Sequence, residues 1–108
     1  MTYGRNNLPD DLLEDVKNHI NITWSDEATD KKISGLIADS MRYLDEKRGE
    51  EADYTEDGTP RTLLMERVRY ARDEALDVFE NNYRSLILGM QNNRRVTAYA
   101  ETADTPEQ

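Results

Sequence analysis

Thr59-Pro60-Arg61-Thr62-Leu63-Leu64-Met65-Glu66-Arg67-Val68-Arg69-Tyr70-Ala71-Arg72-Asp73-Glu74-Ala75-Leu76-Asp77-Val78 is the stretch whose reading decides the fold. Leu64, Val68, Ala71, Ala75 and Val78 recur at alternating steps of four and three, the spacing of one helix face. Thr59-Pro60 supplies a capping residue and then a proline at the first helical position, where its missing N–H is harmless. Small Ala71 and Ala75 let a second helix approach closely. The stripe continues to Asn82, where its apolar character breaks, and Phe79, Tyr83, Leu86, Ile87 and Met90 take over on a rotated face. Asn81-Asn82 is therefore predicted to be a kink or the join between two helices. Gly89 and Asn92-Asn93 weaken helicity, and the helix is predicted to fade near Arg94.

Working outward, the upstream sequence also reads as helix. Leu12, Leu13, Val16 and Ile20 form one stripe of a helix from about Asp10 to Ile20, with Pro9 at its start and Asp10, Asp11 and Glu14 favouring the positive end of its dipole. Asn21-Ile22-Thr23-Trp24 follows as a short extended link. Ile22 and Trp24 either plug the core or anchor a partner. Ser25 or Asp26 caps a second helix over about Glu27 to Arg48, with Ile33, Leu36, Ile37, Met41 and Leu44 on its apolar face. Asp39, Arg42, Asp45 and Lys47 take its wet side. Gly49 is a natural stop, because it adopts a left-handed backbone without a Cβ clash. Residues 50–58 read as an exposed loop ending in the turn dipeptide Asp57-Gly58.

The whole is predicted to be all-α: a small bundle of about four helices with one long, kinked helix. Residues 1–95 form the helical domain, and residues 96–108 form an extended C-terminal tail with little to bury. The length of 108 residues suits one small domain. Only 36% of residues are hydrophobic and 34% are charged, against about 45–50% and 25% in ordinary globular chains, so the core of a lone chain is thin. No apolar run approaches the roughly 18–20 residues of a membrane span, and the N-terminus lacks the hydrophobic region of a signal peptide. A soluble intracellular protein is expected.

The formal charge of −9 excludes a protein whose main task is gripping phosphate backbones. That charge is uneven. Residues 45–57 carry two bases and seven acids, residues 60–95 seven arginines and five acids, and residues 96–108 three acids and no base. The arginines Arg61, Arg67, Arg69, Arg72 and Arg84 alternate with Glu66, Asp73, Asp77 and Glu80, which favours ion pairing within or between subunits over nucleic-acid binding.

Catalytic signals are missing. The absence of cysteine excludes disulfides, thiol catalysis and Cys-ligated zinc. His19 is the only histidine and has no ligand or triad partner nearby, so a surface structural role is expected. There is no phosphate loop, dinucleotide fingerprint, nucleophile elbow or zinc-protease motif. Asp53, Glu56 and Asp57 lack EF-hand spacing. No catalytic residue, metal or cofactor is expected, and the chain is read as a non-enzyme.

The order of elements then carries a resemblance. Leu12-Leu13-Glu14-Asp15-Val16-Lys17 is followed by Ile20-Asn21-Ile22-Thr23-Trp24 and Ser25-Asp26-Glu27, then Lys32-Ile33-Ser34-Gly35-Leu36-Ile37 and Tyr43-Leu44. After the acidic loop come Arg69-Tyr70-Ala71-Arg72-Asp73-Glu74-Ala75, Phe79-Glu80-Asn81-Asn82-Tyr83 and Leu86-Ile87-Leu88-Gly89-Met90-Gln91. Across about residues 10–95, and best from Phe79 to Gln91, this resembles the head–tail connector (adaptor) proteins of long-tailed double-stranded DNA bacteriophages. The strongly acidic loop at 49–59 is a point of difference.

The resemblance implies a small helical virion protein, assembled in the host cytoplasm, with no catalytic residues. It would dock as a homo-oligomeric ring, typically a dodecamer, below the portal protein. There it would extend the DNA channel and offer a platform to a stopper or tail-completion protein. Double-stranded DNA would pass through without specific binding. Portal engagement by the C-terminal segment would fall on Arg94, Arg95, Val96, Thr97, Ala98, Tyr99 and Ala100. Two further surfaces follow as expectations from charge and position. Glu50, Glu51, Asp53, Glu56 and Asp57 would line the lumen, where an acidic wall repels phosphates within about 8–10 Å. Arg69, Arg72, Asp73 and Asp77 would form an intersubunit helix face. The competing expectation is a small acidic helical regulatory protein, an antitoxin or DNA mimic. Its charge density fits, but its acid pattern is interrupted by the arginines of the long helix.

Overall fold

The computed structural model describes Gly4 and residues 7–104, with side chains as far as Asn92. Four helices follow one another: α1 (Leu12–His19), α2 (Glu27–Arg48), α3 (Thr59–Arg72) and α4 (Leu76–Asp104). They form a small all-α bundle, and no strand occurs among the described residues. The α2 boundaries coincide with the reading of the sequence, and for local reasons. Asp26 caps the helix by accepting hydrogen bonds from the Thr29 amide (3.0 Å) and hydroxyl (2.9 Å). Gly49 ends it at φ 91, a left-handed conformation that costs glycine little.

α3 runs back along α2, and α4 runs back along α3. The core is the set of inward stripes these turns bring together: Leu12 and Val16 of α1, Ile33, Ile37, Met41 and Leu44 of α2, Leu63, Leu64 and Val68 of α3, and Phe79, Ile87 and Met90 of α4. Each such side chain removed from water contributes about 1.5–3 kcal/mol. Ile22 joins this core, whereas Trp24 is half exposed, so the two bulky residues of the α1–α2 link split between core and surface.

The helix join is not at Asn81-Asn82. It lies at Asp73-Glu74-Ala75, and both asparagines sit within α4. At this corner the Ala75 amide donates to the Tyr70 carbonyl (2.8 Å) and the Glu74 amide to the Ala71 carbonyl (3.0 Å). These are the paired bonds of a Schellman cap, with Glu74 holding the left-handed position at φ 58. Glutamate replaces the usual glycine, so composition does not mark the turn. The exit from α1 has the same hydrogen-bond pattern, Ile22 amide to Lys17 carbonyl (2.8 Å) and Asn21 amide to Asn18 carbonyl (3.2 Å), with Asn21 at φ 64.

Three smaller differences follow from packing. Thr59 is the first residue of α3, and Gly58 rather than Thr59 holds the cap position. α4 does not fade near Arg94 but continues to Asp104, so the backbone of residues 96–104, expected to be an extended tail, is helical. The last four residues lie outside the described region. The loop after α2 is exposed except at Tyr54, which is 2% accessible. Tyr54 donates to the Asp45 carboxylate (2.6 Å) and lies 3.3 Å from the Met41 carbonyl. Burial and the Asp45 hydrogen bond both push its phenol well above the ordinary range, so it stays a neutral donor.

Two outcomes follow. Glu74→Gly relieves a left-handed non-glycine backbone and should raise stability by about 1 kcal/mol, read as a higher urea midpoint with an unchanged slope. Tyr54→Phe should lower stability by about 1–2 kcal/mol and speed amide exchange across residues 50–58 while leaving the helix content intact.

Candidate assembly surfaces

The five carboxylates Glu50, Glu51, Asp53, Glu56 and Asp57 are all exposed, on a loop that is stitched down from both sides. Tyr54 anchors it from beneath. Arg61, at the start of α3, donates to the Tyr54 carbonyl (2.9 Å) and the Asp15 carboxylate (2.9 Å), and it lies 3.9 Å from Asp57. Arg48 pairs with Glu50 at 3.1 Å and donates to the Glu51 carbonyl at 2.8 Å. Asp53 accepts from the Thr55 hydroxyl and amide, which holds its carboxyl below the usual range. The loop is therefore an acidic surface tied to α2 and α3. Beside it a depression of about 450 Å³ is lined by Arg42, Asp45, Glu46, Gly49, Glu50 and Glu51. No trio of His, Asp or Glu is placed to hold a metal ion among the described residues.

Arg69, Arg72, Asp73 and Asp77 lie on either side of the α3–α4 corner, and all four are exposed. Arg69 is already engaged within the subunit. Its guanidinium donates to Glu66 and lies 4.8 Å above the Tyr70 ring. Arg72, Asp73 and Asp77 stay turned to solvent. The side chains of Arg94, Arg95, Val96, Thr97, Ala98, Tyr99 and Ala100 lie outside the described residues, although their backbone belongs to α4.

Sequence reading missed two polar clasps. Glu66 ties three helices: it accepts from His19 of α1 (2.5 Å), from Arg69 of α3 (2.5 Å) and from the Tyr83 hydroxyl of α4 (2.8 Å). Burial pushes the Glu66 carboxyl up, but the donors Arg69, His19 and Tyr83 outweigh it and bring it down to about 2. Above it, Tyr70 packs on Phe79 and Tyr83 at ring-centre distances of 5.9 Å each, and Phe79 stacks on Tyr83 at 5.1 Å. The second clasp is Arg67, which is buried. It donates to Asp39 (3.0 Å) and the Ser40 hydroxyl (3.0 Å), and its guanidinium covers the Tyr43 ring at 4.2 Å. Asp39 is held below its usual range, first by the Arg67 hydrogen bond.

Lys17 is also buried, with its ammonium 2.8 Å from Asp30 Oδ1. That oxygen accepts no aligned hydrogen bond, so the contact is a close ion pair. The arginine face anticipated from the sequence is thus largely spent inside the subunit: Arg61, Arg67 and Arg69 bridge Asp15, Asp39 and Glu66.

No family model, curated protein or solved structure matches this chain.

Because Glu66 is ionised at lower pH when folded than when unfolded, its stabilisation is complete above about pH 4.5 and is lost as pH falls through about 2. Glu66→Gln should cost about 2 kcal/mol at pH 7 and give a flatter loss of stability between pH 5 and 2 than the parent, checked by urea melts across that range.

Proposed function

We propose that this protein is a structural head–tail adaptor of a long-tailed double-stranded DNA bacteriophage. In this reading it docks as a ring, in relatives typically of twelve copies, on the portal. It extends the DNA channel and carries the stopper or tail-completion protein. The observation that carries the proposal is the order of sequence segments on which the resemblance rests, from Leu12 to Gln91 and best from Phe79 to Gln91.

Two features support the reading. The Gln91 amide donates to the Lys47 carbonyl at 2.7 Å, and the α4 backbone continues as helix to Asp104, a regular form for the C-terminal segment to offer a partner. The acidic loop is tied down by Arg48, Tyr54 and Arg61, as suits a surface that DNA passes without sticking. Its field fades within about 8 Å at physiological salt.

Electron microscopy of the protein mixed with portals from a phage whose genome carries it would test this. Rings capping the portal are expected. A soluble complex with a toxin or polymerase, and no ring, would replace the adaptor reading with the acidic regulatory one. Truncation after Arg95 removes none of the core contacts named above, so it should change stability by less than about 1 kcal/mol while abolishing attachment to portal-bearing heads. Normal head joining by the truncated protein would remove the role assigned to the C-terminal segment.

A further inference from the structure

A groove of about 260 Å³ runs between α2 and α4. Its floor is Tyr43, Ile87 and Leu88, and Leu88 is 51% exposed, the most exposed large hydrophobic side chain among the described residues. Lys47 and Arg84 stand on its walls. Neither cation has a carboxylate partner among the described residues; the Lys47 ammonium lies 5.4 Å from the Tyr43 ring centre. The one acid of the groove, Glu80, accepts the Tyr43 hydroxyl at 2.8 Å. Burial and that bond push the Tyr43 phenol up to about 12, so the tyrosine adds no negative charge. The groove is thus a locally positive, apolar-floored site on a chain of charge −9.

We propose that this groove docks a segment of another protein that carries an aliphatic side chain flanked by carboxylates. Charge complementarity selects the class, since the aliphatic group covers Leu88 while the carboxylates meet Lys47 and Arg84. At about 260 Å³ the groove is smaller than the roughly 300–1,000 Å³ of small-molecule pockets, and it suits one or two side chains. Nucleic acid is disfavoured, because a long polyanion meets the net −9 charge of the chain. A second copy's acidic loop fits poorly, because its one large apolar residue, Tyr54, is buried. The proposal is independent of the head–tail reading.

The test uses the full chain and three probes: acetylated Glu-Glu-Leu-Val-Asp, a sequence this chain does not contain, its Lys-Lys-Leu-Val-Lys counterpart, and a single-stranded oligonucleotide. Amide chemical shifts report where each binds. The acidic leucine peptide should move signals of residues 43–47 and 84–91, and Lys47→Glu with Arg84→Glu should weaken it about tenfold while helix content is unchanged. Leu88→Ser, a surface change, should weaken it separately. No shift with the acidic peptide, equal binding by the basic one, or oligonucleotide binding in the groove would each overturn the proposal.

Discussion

The fold depends on the corner at Tyr70–Ala75. Without it, α3 and α4 would be one rod, and the stripes of Leu64–Val68 and Phe79–Met90 could not share a core. The corner is closed by the backbone hydrogen bonds of the Asp73, Glu74 and Ala75 amides and by one residue at positive φ, Glu74. Its backbone cost is of order 1–2 kcal/mol, small beside the burial of Phe79, Ile87 and Met90 that it permits. Tyr70, at the last turn of α3, accepts a hydrogen bond from Asn82 at 3.2 Å and packs on Phe79 and Tyr83, so the turn is held from outside as well as by its own backbone.

Around this core the charges act as straps. The aliphatic core has few residues, and many of the interhelix connections are polar: Lys17 to Asp30, Arg61 to Asp15, Arg67 to Asp39 and Ser40, and Glu66 to His19 and Tyr83. The more buried of these, Arg67 and Lys17, link α3 and α1 to named positions of α2. A high charged fraction in this chain is therefore partly structural. The loop at 50–57 and the corner at 72–77 carry exposed charges, and so do the outer faces of α1, α2 and α4.

Much of this was legible in the sequence. The α2 stripe and its caps at Asp26 and Gly49 are local signals, and local signals decide local structure. Exposure of Glu50, Glu51, Asp53, Glu56 and Asp57 was legible for the same reason: short acidic side chains beside Gly58 have nothing to bury. The corner was not, because Glu74 is a poor advertisement for a left-handed turn, while Asn81-Asn82 advertises one that helix continuity overrides. Tyr54 was misread because its burial depends on Asp45 and Met41, which approach only after α2 has formed.

The sequence by itself determined that this chain is helical, how its second helix begins and ends, and that it carries no thiol or catalytic motif, because each depends on residue identity and short-range spacing. Only the tertiary structure decided where the third helix ends, which of Ile22 and Trp24 is buried, which arginines are spent on internal pairs, and that Leu88, Lys47 and Arg84 share a groove. Those outcomes depend on distances between residues tens of positions apart, and no short-range pattern encodes them.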